Sequence, residues 1–165
     1  DVVAREVVEI GQPVLKKIHD SFGDWVLSPD GSLNRRALRE HIFQNPSARH
    51  QLEQMTHPAI RQSIIQQLQN ATSPYVILVS PLLFETDQYQ LADRTLLIDA
   101  SEAIQIERAS QRDGQDSEQI KKIIAAQMPR EQKCKIADDI VINDGHLDHL
   151  YQQLAKLHQN YLERS

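Results

Sequence analysis

Apolar residues follow two different rhythms along this chain. From Val2 to Leu68 they recur at three- and four-residue spacing, the mark of helices with one buried stripe. Val2 to Val8 gives a short helix closed near Gly11. Pro13 suits a first helical turn, and Val14, Leu15 and Ile18 form the face of a second helix ending by Gly23. Ser28-Pro29-Asp30-Gly31-Ser32 is a turn, since proline presets φ and glycine accepts positive φ. Asn34 caps a helix carrying Leu38, Ile42 and Phe43, which Asn45-Pro46-Ser47 breaks. The pattern from Ala48 to Leu68 is helical again, with an interruption at His57-Pro58.

The rhythm then changes. Tyr75-Val76-Ile77-Leu78-Val79-Ser80 is rich in β-branched side chains and lacks polar alternation, so it predicts a strand covered on both faces. Thr95–Asp99 and Asp139–Asn143 are the other strand candidates. Helical patterns lie between them at Ser101–Gln111, Ser117–Gln127 and Arg130–Ala137. A last helix from Leu147 to Leu162 puts Leu150, Leu154, Leu157 and Tyr161 on one stripe. Strands alternating with helices predict an α/β fold with a parallel sheet. Ligands of such sheets bind beyond the carboxyl ends of the strands. Pro81 stops the first strand there, and Pro81-Leu82-Leu83-Phe84-Glu85 delivers Glu85 to that rim.

At 165 residues the chain can bury one sizeable core and has room for a subdomain. A net charge of −5 argues against a general nucleic-acid binder, yet leaves room for a local basic pocket that takes a phosphorylated small molecule. One cysteine, Cys134, allows no internal disulfide and suits a reducing compartment. No apolar stretch approaches the roughly 18 residues of a membrane span, and no signal peptide is visible, so the expected location is cytoplasmic.

Several clusters could carry chemistry. Asp1 and Arg5 stand four apart at a helix start, which fits a cap with a charge pair as well as a catalytic carboxylate. Arg35 and Arg39 share a helix face and could grip a phosphate, or form a solvated basic face. His57 before Pro58 reads first as a kink residue whose ring bonds freed backbone groups. His146 and His149 lack a third ligand for zinc. Arg108 and Arg112 lie on one helix face before Gly114. That is either a cationic lid over ATP or a surface laced with charge pairs. Asn143 and Gly145 end the last strand, where a plain strand and turn is the competing reading.

Taken in order, Asp1-x-x-Ala4-Arg5, Leu33-Asn34-Arg35-x-x-Leu38, His57-Pro58-x-Ile60, Pro81-Leu82-Leu83-Phe84-Glu85, Arg108-x-x-x-Arg112-Asp113 and Ala137-Asp138-x-Ile140-Val141-Ile142-x-Asp144-Gly145 resemble the dephospho-CoA kinases of bacterial, single-domain type. The resemblance runs from Asp1 to at least Leu162. It implies a P-loop kinase-like parallel sheet, a helical CoA-binding subdomain and a lid. On that plan residues 1–165 form a single kinase domain. Residues 1–73 are the mainly helical acceptor-binding region, 74–100 and 138–165 the sheet core, and 101–137 the lid. The implied reaction moves the ATP γ-phosphate to the ribose 3′-hydroxyl of dephospho-CoA, with Mg²⁺, in a monomer or small homo-oligomer.

By the same resemblance Asp1 is the base or orienter of that hydroxyl, and Arg108 neutralises the transferring charge with Arg112 as its neighbour. Arg5, Arg35, Arg39, His57 and Glu85 lie on the acceptor side. Asn143 and Gly145 close around the adenine end. Another small-molecule P-loop kinase is one alternative, and a non-catalytic CoA-binding module is another.

One departure is large. The family's Gly-x-x-Gly-x-Gly-Lys-[Ser/Thr] phosphate loop does not occur among these residues, nor do the strand and helix around it or the first aspartate of its Asp-x-Asp motif. Such a segment, with the strand that follows it, takes roughly 30 residues, about the size of a βαβ unit. Together with a start at Asp1 rather than methionine, this leads us to expect a fragment whose central first strand is absent. As it stands, such a chain should not catalyse. Tyr75–Ser80 and Thr95–Asp99 should then lie about twice the usual ~4.8 Å apart, or collapse together.

Overall fold

The computed structural model describes residues 2–114 and 116–164. The chain divides into two compact units, one ending at Ala71 and one beginning at Thr72.

The first unit is helical. Helix α1 spans Val2–Glu6, α2 Pro13–Phe22, α3 Arg35–Gln44 and α4 Pro46–Gln69. Pro13 opens α2, and Gly23 leaves it at φ 90°, a left-handed conformation that favours glycine. The Ser28–Ser32 turn forms as expected: Ser28 N–H donates to the Ser32 carbonyl at 2.8 Å, and Leu27 bridges Leu33. The side-chain oxygen of Asn34 accepts the Ala37 N–H at 3.2 Å, the cap its sequence predicts for α3. The break at Asn45 is only a residue wide, because Asn45 itself caps α4 and Pro46 fits its first turn.

Val7, Val8, Val14, Ile18, Val26 and Leu38 form the core of this unit. Ile18 and Val26 are completely buried, each contributing roughly 1.5–3 kcal/mol. The expected interruption at His57-Pro58 does not occur: α4 runs unbroken with Pro58 inside it. A mid-helix proline costs about 3 kcal/mol. Leu52 and Met55 before it, and Ala59 and Ile60 after it, all pack on the core, so burial on both sides holds the helix line.

The second unit carries the sheet. Strand β1 (Leu96–Asp99) is followed by α5 (Glu102–Asp113), α6 (Ser117–Ala125) and α7 (Arg130–Ile136). Strand β2 (Asp139–Ile142) and α8 (Leu147–Leu162) complete it. β1 and β2 pair in parallel, with Leu96 opposite Asp139 and Asp99 opposite Ile142. The crossover through three helices is what parallel pairing demands. Helix α7 packs on β1, α8 on β2, and α5 on α6.

Residues 75–80 correct the third strand expectation. Among the described residues they pair with no neighbour, and Val76, Ile77 and Val79 are 49%, 69% and 81% exposed. Composition makes a segment extended, but a strand exists only when a ladder partner takes its N–H and C=O groups.

At the amino ends of β1 and β2 a polar network pins the sheet. Arg94 makes a two-pronged contact with Asp139 at 3.1 Å in both prongs, and the Tyr161 hydroxyl donates to the same carboxylate at 2.8 Å. The Asp138 carboxylate accepts from the backbone N–H and the hydroxyl of buried Thr95, both at 2.8 Å.

Candidate active site

The parallel pair sends its chemistry to the opposite, carboxyl edge. The Asn143 N–H donates to the Asp99 carbonyl at 2.7 Å, so the ends of both strands lie level there. Asp99 closes β1 with a carboxylate that is only 4% exposed. Two residues later Ser101 caps α5, and the Gln105 amide reaches back to the Ala100 carbonyl at 2.8 Å. Helix α5 thus leaves the edge in a fixed direction.

That direction brings Arg108 to the edge. Its Nη1 donates to the Asn143 carbonyl at 2.7 Å. A carbonyl orients a guanidinium without neutralising it, and Arg108 makes no ion pair with a described residue. The structure therefore joins two residues that the sequence singled out separately, Arg108 and Asn143, at one strand end. Arg112 is placed differently. It forms a two-pronged ion pair with its neighbour Asp113, at 2.7 Å in both prongs. Through that hydrogen bond the arginine's pKa rises and the aspartate's falls. Gly145 has no positive φ, and a Cβ there would meet nothing within 4 Å, so neither backbone geometry nor close packing requires glycine.

Glu85 follows a run of turns, and its carboxylate accepts the Met128 N–H at 2.9 Å and the Lys133 ammonium at 2.9 Å. Burial pushes the Glu85 pKa up. The hydrogen bonds from Lys133 and Met128 outweigh it, and the net position is below the ordinary 4.5. The carboxylate is thus engaged with the frame of its own unit.

Sequence reasoning overlooked Asp99, Arg130 and Lys133. Arg130, the first residue of α7, holds Asp99 through two contacts of 2.7 and 2.5 Å. The hydrogen bond that it donates to Asp99 raises the Arg130 pKa. The signal for Asp99 was available: like Glu85, it is a carboxylate at the carboxyl end of a strand candidate.

In the helical unit Arg35 Nη2 donates to the Arg5 carbonyl at 3.4 Å. Arg35 also lines an open concavity of about 390 Å³ with Val8, Glu9, Ile10, Ser32 and Leu33. Arg36 is paired with Glu40 at 3.0 Å, whereas Arg5, Arg35 and Arg39 have no ion pair among the described residues. His57 is exposed and makes no side-chain hydrogen bond among them, so the expected bond to freed backbone does not form. Asp1 lies outside the described residues. No group of three His, Cys, Asp or Glu able to hold a metal ion occurs among the described residues. No helix of these residues is long and apolar enough to cross a membrane.

Residues 1–149 match the family model described as dephospho-CoA kinase. A dephospho-CoA kinase of Acinetobacter baylyi is 74% identical over 162 residues, covering 98% of this chain and 83% of the relative. One from Escherichia coli is 45% identical over 163 residues, covering 99% and 79%. Among solved structures, a protein from Thermus thermophilus superposes with a TM-score of 0.78 at 30% identity, covering 97% of this chain and 81% of the other. The dephospho-CoA kinase of Campylobacter jejuni gives 0.73 at 28% identity, covering 99% and 83%.

Proposed function

The chain belongs to the dephospho-CoA kinase family, and from that premise we propose how its residues divide the work of the reaction. The reaction is the ATP-dependent phosphorylation of dephospho-CoA that completes coenzyme A synthesis. The γ-phosphorus–oxygen bond of ATP breaks, a new bond forms to the ribose 3′-oxygen, ADP leaves, and the hydroxyl loses its proton. The observation that carries this function is the 74% identity to a dephospho-CoA kinase across nearly the whole chain.

Transfer of a phosphoryl group asks little covalent work of the protein; positioning and charge do most of it. Arg108 supplies the charge. Its guanidinium is fixed by the Asn143 carbonyl and not cancelled by a carboxylate among the described residues, so its field remains available to the oxygens of the transferring group. Asn143 and Gly145 border the adenine end, and Arg112 adds positive charge on the same helix. Arg5, Arg35 and Arg39 take the acceptor's phosphates, which is supported by their having no ion pair among the described residues, beside the paired Arg36. His57 adds a polar group on the acceptor side. Glu85 serves that side through the frame it holds with Lys133. Asp1 accepts or orients the 3′-hydroxyl proton.

Mg²⁺ enters with ATP as part of the substrate. Magnesium in phosphotransferases is held chiefly by phosphate oxygens, with one or two carboxylates beside them. The protein works in the cytoplasm on small molecules, as a monomer or small homo-oligomer, without nucleic acid or membrane. Incubating the complete polypeptide with MgATP and following ADP tests the reading. ADP that appears only when dephospho-CoA is added is the expected result; ADP release indifferent to dephospho-CoA would reject it.

A further inference from the structure

The ion pair between Asp99 and Arg130 has no place in the chemistry above, yet it joins the most buried carboxylate at the carboxyl edge to the start of a helix 31 residues away. Between those two residues lies an arm formed by α5 and α6, which pack on each other. Asp99 stands immediately before the arm leaves β1, and Arg130 immediately after the arm returns. Both prongs of the guanidinium are used, one to each carboxylate oxygen. Such a fork fixes orientation as well as distance, which a lysine could not do. The Met128 N–H held by Glu85 and the Glu85–Lys133 pair secure the returning root a second time. On the outgoing root, the Ser101 cap and the Gln105 contact to Ala100 set how α5 departs.

We infer that Asp99 and Arg130 are positioning residues: their forked pair clamps the two roots of the α5–α6 arm together and thereby sets where Arg108 stands at the strand ends. The catalytic half of this inference rests on the reading of Arg108 given above. The pair lies within one unit of the molecule and has no need to touch either substrate. Its sign of action is therefore the placement of another residue.

Arg130→Lys keeps a cation beside Asp99 and removes the fork. Amide hydrogen exchange in the complete, ligand-free protein should become about tenfold faster in α5 and α6, with β1 and β2 unchanged. Turnover should fall about tenfold with the KM for ATP held within about twofold. In an Arg108→Ala background the same change should cost less than about twofold, because a residue that acts only through Arg108 has nothing left to position. Unchanged exchange in the arm would overturn the clamp, and a loss that persists undiminished without Arg108 would overturn the link to catalysis. Full turnover in Arg108→Ala alone would reject the role of Arg108, while the exchange measurement still decides the clamp. Asp99→Asn, read by the same measurements, serves if Arg130→Lys fails to fold.

Discussion

Arg108 donates a 2.7 Å hydrogen bond to the backbone carbonyl of Asn143, 35 residues further along the chain. The bond fastens the middle of α5 to the end of β2 and leaves the arginine's charge uncancelled. A group that is oriented but not neutralised suits a transition state in which negative charge spreads over three oxygens. Arg108→Ala should therefore lower turnover by about 10²–10³-fold, the scale seen when a single transition-state donor is removed. Steady-state ADP formation by the complete enzyme measures it. A change confined to KM would make Arg108 a ground-state binding residue.

Glu85 and Lys133 are 2.9 Å apart with side chains 19% and 15% exposed. Pairs this sheltered are destabilising when one partner is lost, since the other charge stays behind. Glu85→Gln retains an acceptor for the Met128 N–H but strands the ammonium. The expected cost is about 1–3 kcal/mol, seen as a Tm lower by several degrees. The KM for dephospho-CoA should move less than about threefold. A large rise in that KM with an unchanged Tm would instead give the carboxylate a direct contact with the acceptor.

The helical half of the chain was legible because its signals are local. Pro13 and Gly23 bracket α2, and Asn34 and Asn45 cap α3 and α4 through contacts made within three residues. β1 and β2 were legible from their apolar runs. What could not be read locally is pairing. Residues 75–80 have the composition of a strand, but their ladder depends on a neighbour, which no property of Val76 or Ile77 can supply. The site divides in the same way. Arg108 and Asn143 stood out as residue types, but that one holds the other is a tertiary fact. Arg130 looked like an ordinary helix-start residue until Asp99 was found in its grip. The break expected at Pro58 failed for a related reason, since a propensity cost yielded to packing on both sides of it.

Acid should weaken the polar network at the amino ends of β1 and β2. The hydrogen bond from Arg94 outweighs burial and holds the Asp139 carboxyl below its ordinary 3.8, and the Thr95 backbone N–H does the same for Asp138. A carboxylate depressed in the folded state stabilises fully above its unfolded pKa of about 4, and that contribution is lost as pH falls through the folded value. Stability from these groups should be flat near neutrality and decline below about pH 4. Urea titrations from pH 6 to pH 2 should follow that course, and Asp139→Asn should flatten the decline. An acid limb unchanged in Asp139→Asn would remove this carboxylate from the account.

The same network makes an alkaline prediction. Burial, and then its hydrogen bond to Asp139, pushes the Tyr161 hydroxyl up to about 12. The folded state thus keeps its proton where an unfolded tyrosine has lost it, so stability falls as pH rises from about 10 towards the folded value. In a spectrophotometric titration a late phenolate phase should appear near pH 12, and Tyr161→Phe should remove this last phase alone. A last phase that survives in Tyr161→Phe would assign the late ionisation elsewhere.

Arg36 has Glu40 as its partner, while Arg35 and Arg39 on the same helix form no ion pair among the described residues. Leaving cations unpaired on a helix surface forgoes only a few tenths of a kcal/mol, so their arrangement is inexpensive to keep. Against a phosphate the same groups are worth more, about 1.5–3 kcal/mol for each charged hydrogen bond, or roughly ten- to a hundredfold in affinity. Arg35→Ala and Arg39→Ala should each raise the KM for dephospho-CoA by about tenfold or more and leave the KM for ATP within about twofold. Arg36→Ala is the control on the same helix, and it should alter neither. Equal losses in all three variants would mean a general electrostatic field, and the acceptor contact would then not belong to Arg35 and Arg39 in particular.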